Sequence, residues 1–215
     1  MGRGPVGAPA IIRYVNNSLA SVDDVSGNDD SVVLIKTLTA SSSANLSFVH
    51  GTSDVVLDST YPIYVFKWIN VHPATDNVHL QVNFRDGGSS YDATKTTTIF
   101  EAFAYEDGTS GTGLRYDANT QDLAQSTSAH TIQLYIDNDN DSSASGELWL
   151  FNPSSTTYIK HFMSKGSGVW DGGGNNHKYT AGYCNVTAAI DGVQFAMSSG
   201  NIDAGSIKLY GIKDS

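Results

Sequence analysis

Cysteine is almost missing from this chain: Cys184 is the only one in 215 residues, so no internal disulfide can form. It lies in the strand-like run Tyr183-Cys184-Asn185-Val186, where a buried inert thiol is expected rather than a nucleophile. Charge is scarce as well, at 16% of residues against about 25% in an ordinary domain. Twelve basic residues are outnumbered by 22 acidic ones, giving a net charge of −10. The lysines are scattered rather than clustered, so direct nucleic-acid binding is not expected, because phosphate contacts need concentrated positive charge. No apolar run approaches the ~18 residues of a membrane span. The opening MGRGPVGAPAIIRYV, broken by Gly and Pro, lacks the apolar core of a signal segment. No membrane insertion is expected.

The motifs of catalysis are missing too. Six histidines, at 50, 72, 79, 130, 161 and 177, form no HxH or HExxH pair. No GxSxG nucleophile elbow occurs. Gly172-Gly173-Gly174 is followed by Asn-Asn-His rather than the Lys-Ser/Thr of a phosphate loop. Glutamate is confined to Glu101, Glu106 and Glu147, which weakens a paired-carboxylate glycosidase. The chain is expected to be no enzyme and to need no cofactor.

What is present is β structure. Ser, Thr, Gly, Asn and Asp take the place of the missing charges, and they suit turns and uncharged strand faces. Alternating or apolar runs recur at Val32–Leu38, Leu46–Val49, Tyr61–Ile69, Val78–Phe84, Thr96–Phe103, Thr131–Ile136, Gly146–Phe151, Thr157–Met163 and Tyr179–Val186. The last pair, Val193–Met197 and Ser206–Ile212, closes the domain. Val193, Phe195, Ile207 and Leu209 face the core, and Gln194, Lys208 and Tyr210 face away. Trp68 and Trp149, in strongly apolar strands, are read as core. Asn119–Gln125 is the one candidate for a helical turn, and Glu106–Ala129 and Gly166–Lys178 read as long loops. Many short strands without helical crossovers predict an all-β fold, an antiparallel, jelly-roll-like β-sandwich. Residues 31–215 form that single domain. Residues 1–30, rich in Gly, Pro and Asp, are read as a flexible N-terminal arm that orders only against a partner, or as a frayed terminus.

Two local features invite a ligand. In Asp137-Asn138-Asp139-Asn140-Asp141 the alternate carboxylates of Asp137, Asp139 and Asp141 match the first ligands of a calcium loop. Position six is Ser142 and position twelve is Leu148, so the rest of that loop fails. A turn held by Asx side chains is the preferred reading, with calcium as the weaker one. Trp170, in Gly168-Val169-Trp170-Asp171-Gly172, reads as a loop residue that serves as a glycan platform, as a subunit contact, or simply as packing.

Four segments taken together carry a resemblance: Leu38–Ala44, Asn70–Asp76, Leu150–Thr157 and the ending Gly205–Lys213. In this order, over residues 31–213, the chain resembles uncharacterised structural proteins of marine tailed bacteriophages, notably those infecting cyanobacteria. The resemblance implies a virion component, assembled in the host cytoplasm, and it carries over no catalytic residue. It favours a capsid decoration or knob protein docked by its arm, with a tail-fibre or receptor-binding carbohydrate module as the alternative. The implied partners are other virion proteins, further copies of the chain as a homo-oligomer, with a trimer favoured, and a host-surface glycan.

Overall fold

The computed structural model describes residues 12–15, 18–22, 31–116, 121–170 and 172–214. The chain divides into two compact units, residues 1–30 and 31–215. In the first, β1 (Ile12–Val15) and β2 (Ser18–Val22) pair antiparallel. The Gly/Pro-rich start and the Asp-rich stretch 23–30, which suggested an arm, lie outside the described residues.

The second unit is all-β. Its strands are β3 (Val32–Thr39), β4 (Leu46–Val49), β5 (Ile63–Pro73), β6 (Val78–Arg85), β7 (Lys95–Tyr105) and β8 (Thr112–Tyr116). They are followed by β9 (His130–Ile136), β10 (Ala144–Phe151), β11 (Lys160–Trp170), β12 (Gly174–Cys184), β13 (Gly192–Met197) and β14 (Ile202–Ile212). All pairings are antiparallel, in the order β3-β14-β5-β10-β11-β9-β6-β13-β4. At β11 the sheet forks, and β12, β7 and β8 continue from its other edge. β9 joins β11 through the pair Trp170–Ile136, and Ser43, between β3 and β4, bridges back to Ile202. The twelve-stranded sheet thus nearly closes into a barrel.

Period-2 patterning fixes the buried side. β6 alternates Val78, Leu80, Val82 and Phe84 inward, and β13 sends in Val193, Phe195 and Met197. Phe48, Phe66 and Phe195 meet in the centre with centroids 5.3–6.3 Å apart. Phe84 lies 4.9 Å from Phe162. Each such ring removes enough apolar area from water to stabilise by about 2–3 kcal/mol. Ile207 and Leu209 of β14 are buried, while Lys208 and Tyr210 point outward, as the alternation predicts.

Four expectations are corrected. Gln121–Gln125 is turn and irregular chain rather than helix, and Asn119 and Thr120 lie outside the described residues. The segment Glu106–Ala129 is not one loop, since it contains β8. Gly166–Lys178 is the tip of the β11–β12 hairpin, in register from Lys160–Cys184 to Trp170–Gly174. Gly166 and Gly168 are there for packing: the Trp68 ring lies over Gly166 and over Gly146 of β10, and Gln133 abuts Gly166 and Gly168, whereas Gly172 and Gly173 make the turn with positive φ. Trp149, finally, is not core. Its neighbours Leu148 and Leu150 point inward, which turns Trp149 outward and leaves it half-buried.

Candidate functional site

The cross-strand register builds a continuous surface on the outward face of β3, β14, β5, β10, β11, β12 and β7. One row runs Leu34, Tyr210, Val65, Trp149, Met163 and Ala181. Beside it runs Val32, Ile212, Ile63 and Phe151. On the other flank a row begins with charge and ends in rings: Lys208, Lys67, Glu147, Lys165, Tyr179 and Phe100. Glu147 pairs with Lys165 at 3.1 Å and Lys67 at 3.7 Å, and its pKa is held below the usual range by hydrogen bonds and these cations against the cost of burial. The His177 and Phe100 rings stack on either side of Tyr179, with centroids 4.4 and 4.9 Å away.

Two adjoining hollows, of 580 and 460 Å³, form a trough along this face. Trp149 and Phe151 wall one side, Phe100, Tyr179 and Tyr183 the other, and Met163, Ala181 and Gly182 form the floor. Ala181 and Gly182, small between larger side chains, deepen the depression. Met163 is 51% exposed, and Leu34 and Val32 are each 53% exposed. Because they share one face with the ring-lined rows, they belong to an apolar patch rather than to the single scattered residues normal on a surface.

Trp170 is placed differently from its loop reading. It ends β11 and packs half-buried against Phe103, Tyr105 and Tyr135 at 5.8, 5.1 and 6.0 Å. The Arg115 guanidinium lies 5.2 Å from the Phe103 ring and 5.7 Å from Trp170. These ring contacts pack Trp170 within its own chain. Tyr135 is turned into the cluster by a positive φ of 51° at an irregularity in β9, where its N–H donates to His79 Nδ1 at 3.1 Å.

Asp137, Asp139 and Asp141 do come together, around a polar hollow of 420 Å³ that Asp76 and Glu106 also line. Asp137 Oδ1 accepts the Asp139 N–H at 3.0 Å, and the Ser142 N–H donates to the Asp139 carbonyl at 2.8 Å. This is the Asx turn geometry. Among the described residues no three His, Cys, Asp or Glu side chains are arranged to hold a metal ion.

Inside the barrel a polar set went unread in the sequence. Glu101 lies fully buried between Lys178, equally buried, and Arg115, with an ion pair to each. Ser164 and Thr180 share a 2.8 Å hydrogen bond. Lys160 Nζ donates to the carbonyls of Val186 and Ala188 at 2.7 and 2.5 Å, and reaches those of Ser155 and Tyr158 at 3.2 and 3.3 Å. Lys95 Nζ donates to the Ser128 carbonyl at 2.8 Å, and burial pushes its pKa down to about 8. Burial, with the nearby Lys95 ammonium, pushes His130 down to about 3. The Cys184 thiol is pushed up to about 12 by burial, so it stays protonated and unreactive. Glu101, Lys178, Lys160 and Lys95 tie strands and loops together through these contacts, while His130 and Cys184 are enclosed in the interior. Only alternation across β7 and β12, which puts Glu101 and Lys178 on the inward side, hinted at them.

Comparison of the chain with family models, curated proteins and solved structures found no match.

Proposed function

We propose that the chain is a non-enzymatic structural protein of a bacteriophage virion, a capsid decoration or knob protein docked on the particle by its N-terminal arm. The observation that carries this reading is the strand order. β3-β14-β5-β10 and β4-β13-β6-β9 form two runs, and the chain passes between them at β3/β4, β4/β5, β5/β6, β9/β10 and β13/β14. That is the connectivity of a double Greek key, which supports a jelly-roll-like sandwich, an architecture shared by viral shell and lectin domains. The hairpins β7–β8 and β11–β12 are then insertions that widen one run. The titratable groups inside it, Glu101, Lys178, Lys160 and Cys184, have structural partners or are inert, which favours a building element over a catalyst. The resemblance to phage structural proteins points the same way.

The test is made on particles of the encoding phage. The full chain should co-purify with them, and a chain lacking residues 1–30 should be lost from them. Absence of the full chain, or retention of the shortened one, would overturn the reading. A second reading, glycan recognition by a fibre or receptor-binding module, is favoured by the aromatic walls of the trough. A glycan array with wild type and Trp149→Ala decides it, since no binding by wild type removes it.

A further inference from the structure

We infer that the outward face of the widened run, from β3 across to β7, is the surface through which copies of this chain associate with one another. The first argument is size. Seven strands spaced at ~4.8 Å span about 29 Å, and three rows some 7 Å apart with their side chains cover roughly 20 Å along the strands. The resulting patch, on the order of 600 Å² in plan, approaches the ~800 Å² per partner of a stable protein interface. A saccharide would fill only the trough and would leave Leu34 and Val32 bare at the far edge.

The second argument is composition. Trp149, Phe151, Met163, Tyr179 and Phe100 are the residue types enriched in the dry centre of interfaces, and Trp149 is a natural anchor beside the trough.

The third is charge. A molecule carrying −10 repels its own copies almost everywhere. The three rows hold Lys67, Lys165 and Lys208 against the single acid Glu147. Lys67 and Lys165 are already paired with Glu147 within one copy, so two copies that meet through this face escape the acid–acid repulsion of the rest of the surface. The inference does not depend on the virion reading, because it concerns the purified chain alone.

Sedimentation velocity on the full chain, from about 1 to 100 µM, tests it. Wild type should form a closed assembly of defined stoichiometry. Met163→Glu, in the centre of the patch, should weaken association at least tenfold and should melt like wild type at a dilution where both are monomeric. Tyr158→Glu, an exposed aromatic outside the three rows, should assemble like wild type. If Met163→Glu proves unfolded, the surface variant Lys67→Glu/Lys165→Glu takes its place with the same expectation. A monomeric wild type at about 100 µM, or folded variants that assemble normally, overturns the inference. A monomer that binds an immobilised glycan would likewise overturn it and give the trough to a saccharide.

Discussion

Lys160 shows how single residues hold this fold. An ammonium has three protons, and Lys160 spreads them over four backbone carbonyls from two loops, Ser155 to Tyr158 and Val186 to Ala188. Burial lowers its pKa, yet the carbonyls leave the charged form well solvated by protein dipoles. Lys160→Met keeps the stem and removes the donors, stranding several carbonyls. It should cost about 2–4 kcal/mol in urea unfolding, whereas an ordinary surface lysine costs under about 0.5. His130 supplies the pH dependence. Its folded pKa, about 3, lies below the ordinary 6.5. Between those values the unfolded chain binds a proton that the folded chain refuses, so stability falls as pH falls through that window. From pH 7 to pH 5 this one group should remove about 2 kcal/mol. Urea titrations of wild type and His130→Gln at both pH values read the difference, and equal losses in the two would refute it.

Elements meet through close approaches that no local pattern announces. Gly146 on β10 pairs with Trp68 on one side and Gly166 on the other, and the Trp68 ring lies over both glycines. A Cβ at Gly146 would run into that ring, the Lys165 carbonyl and the Gly166 backbone. Because two of these three obstacles are main chain, β10 and β11 would have to separate. Gly146→Ala should therefore cost about 3 kcal/mol and alter the near-UV signal of Trp68; a neutral effect would refute this close packing. The same contact explains what was legible in the sequence. β6 is apolar on one side only, and β13 nearly so, with Ala196 the one outward exception, so alternation finds both the strand and its inward face. β10 is apolar on both, and period alone cannot tell that Leu148 and Leu150 are covered while Trp149 and Phe151 are not. In Gly166-Ser167-Gly168 the small residues look like a loop, although they serve to admit Trp68 and Gln133. The candidate face suffered most. Its rows join residues as far apart as Leu34 and Tyr210, and only the register brings them together. Asp76 and Glu106 were invisible beside Asp137 for the same reason.

At the scale of the molecule, the chain order and the sheet order are strongly decoupled. β14, the last strand, lies between β3 and β5 and pairs with both along most of its length. Ile202, Ile207 and Leu209 are buried there, and Ile202 also holds the Ser43 bridge. Nothing else joins β3 to the sheet among the described pairings. Such non-local closure makes folding slow and all-or-none, because entropy is lost before the pairings that offset it can form. The two ends of the chain should therefore respond very differently to truncation. Residues 1–30 form a unit apart from 31–215, so a chain starting at Ser31 should melt cooperatively within about 2 °C of the full one. A chain ending at Asn201 loses β14, frees β3, and leaves an edge of β5 carrying Phe66 and Trp68 open to water. It should show no cooperative thermal transition and should aggregate through that edge. Scanning calorimetry of the two truncations decides the matter: a cooperative transition in the chain ending at Asn201 would mean that β14 only covers a fold complete without it.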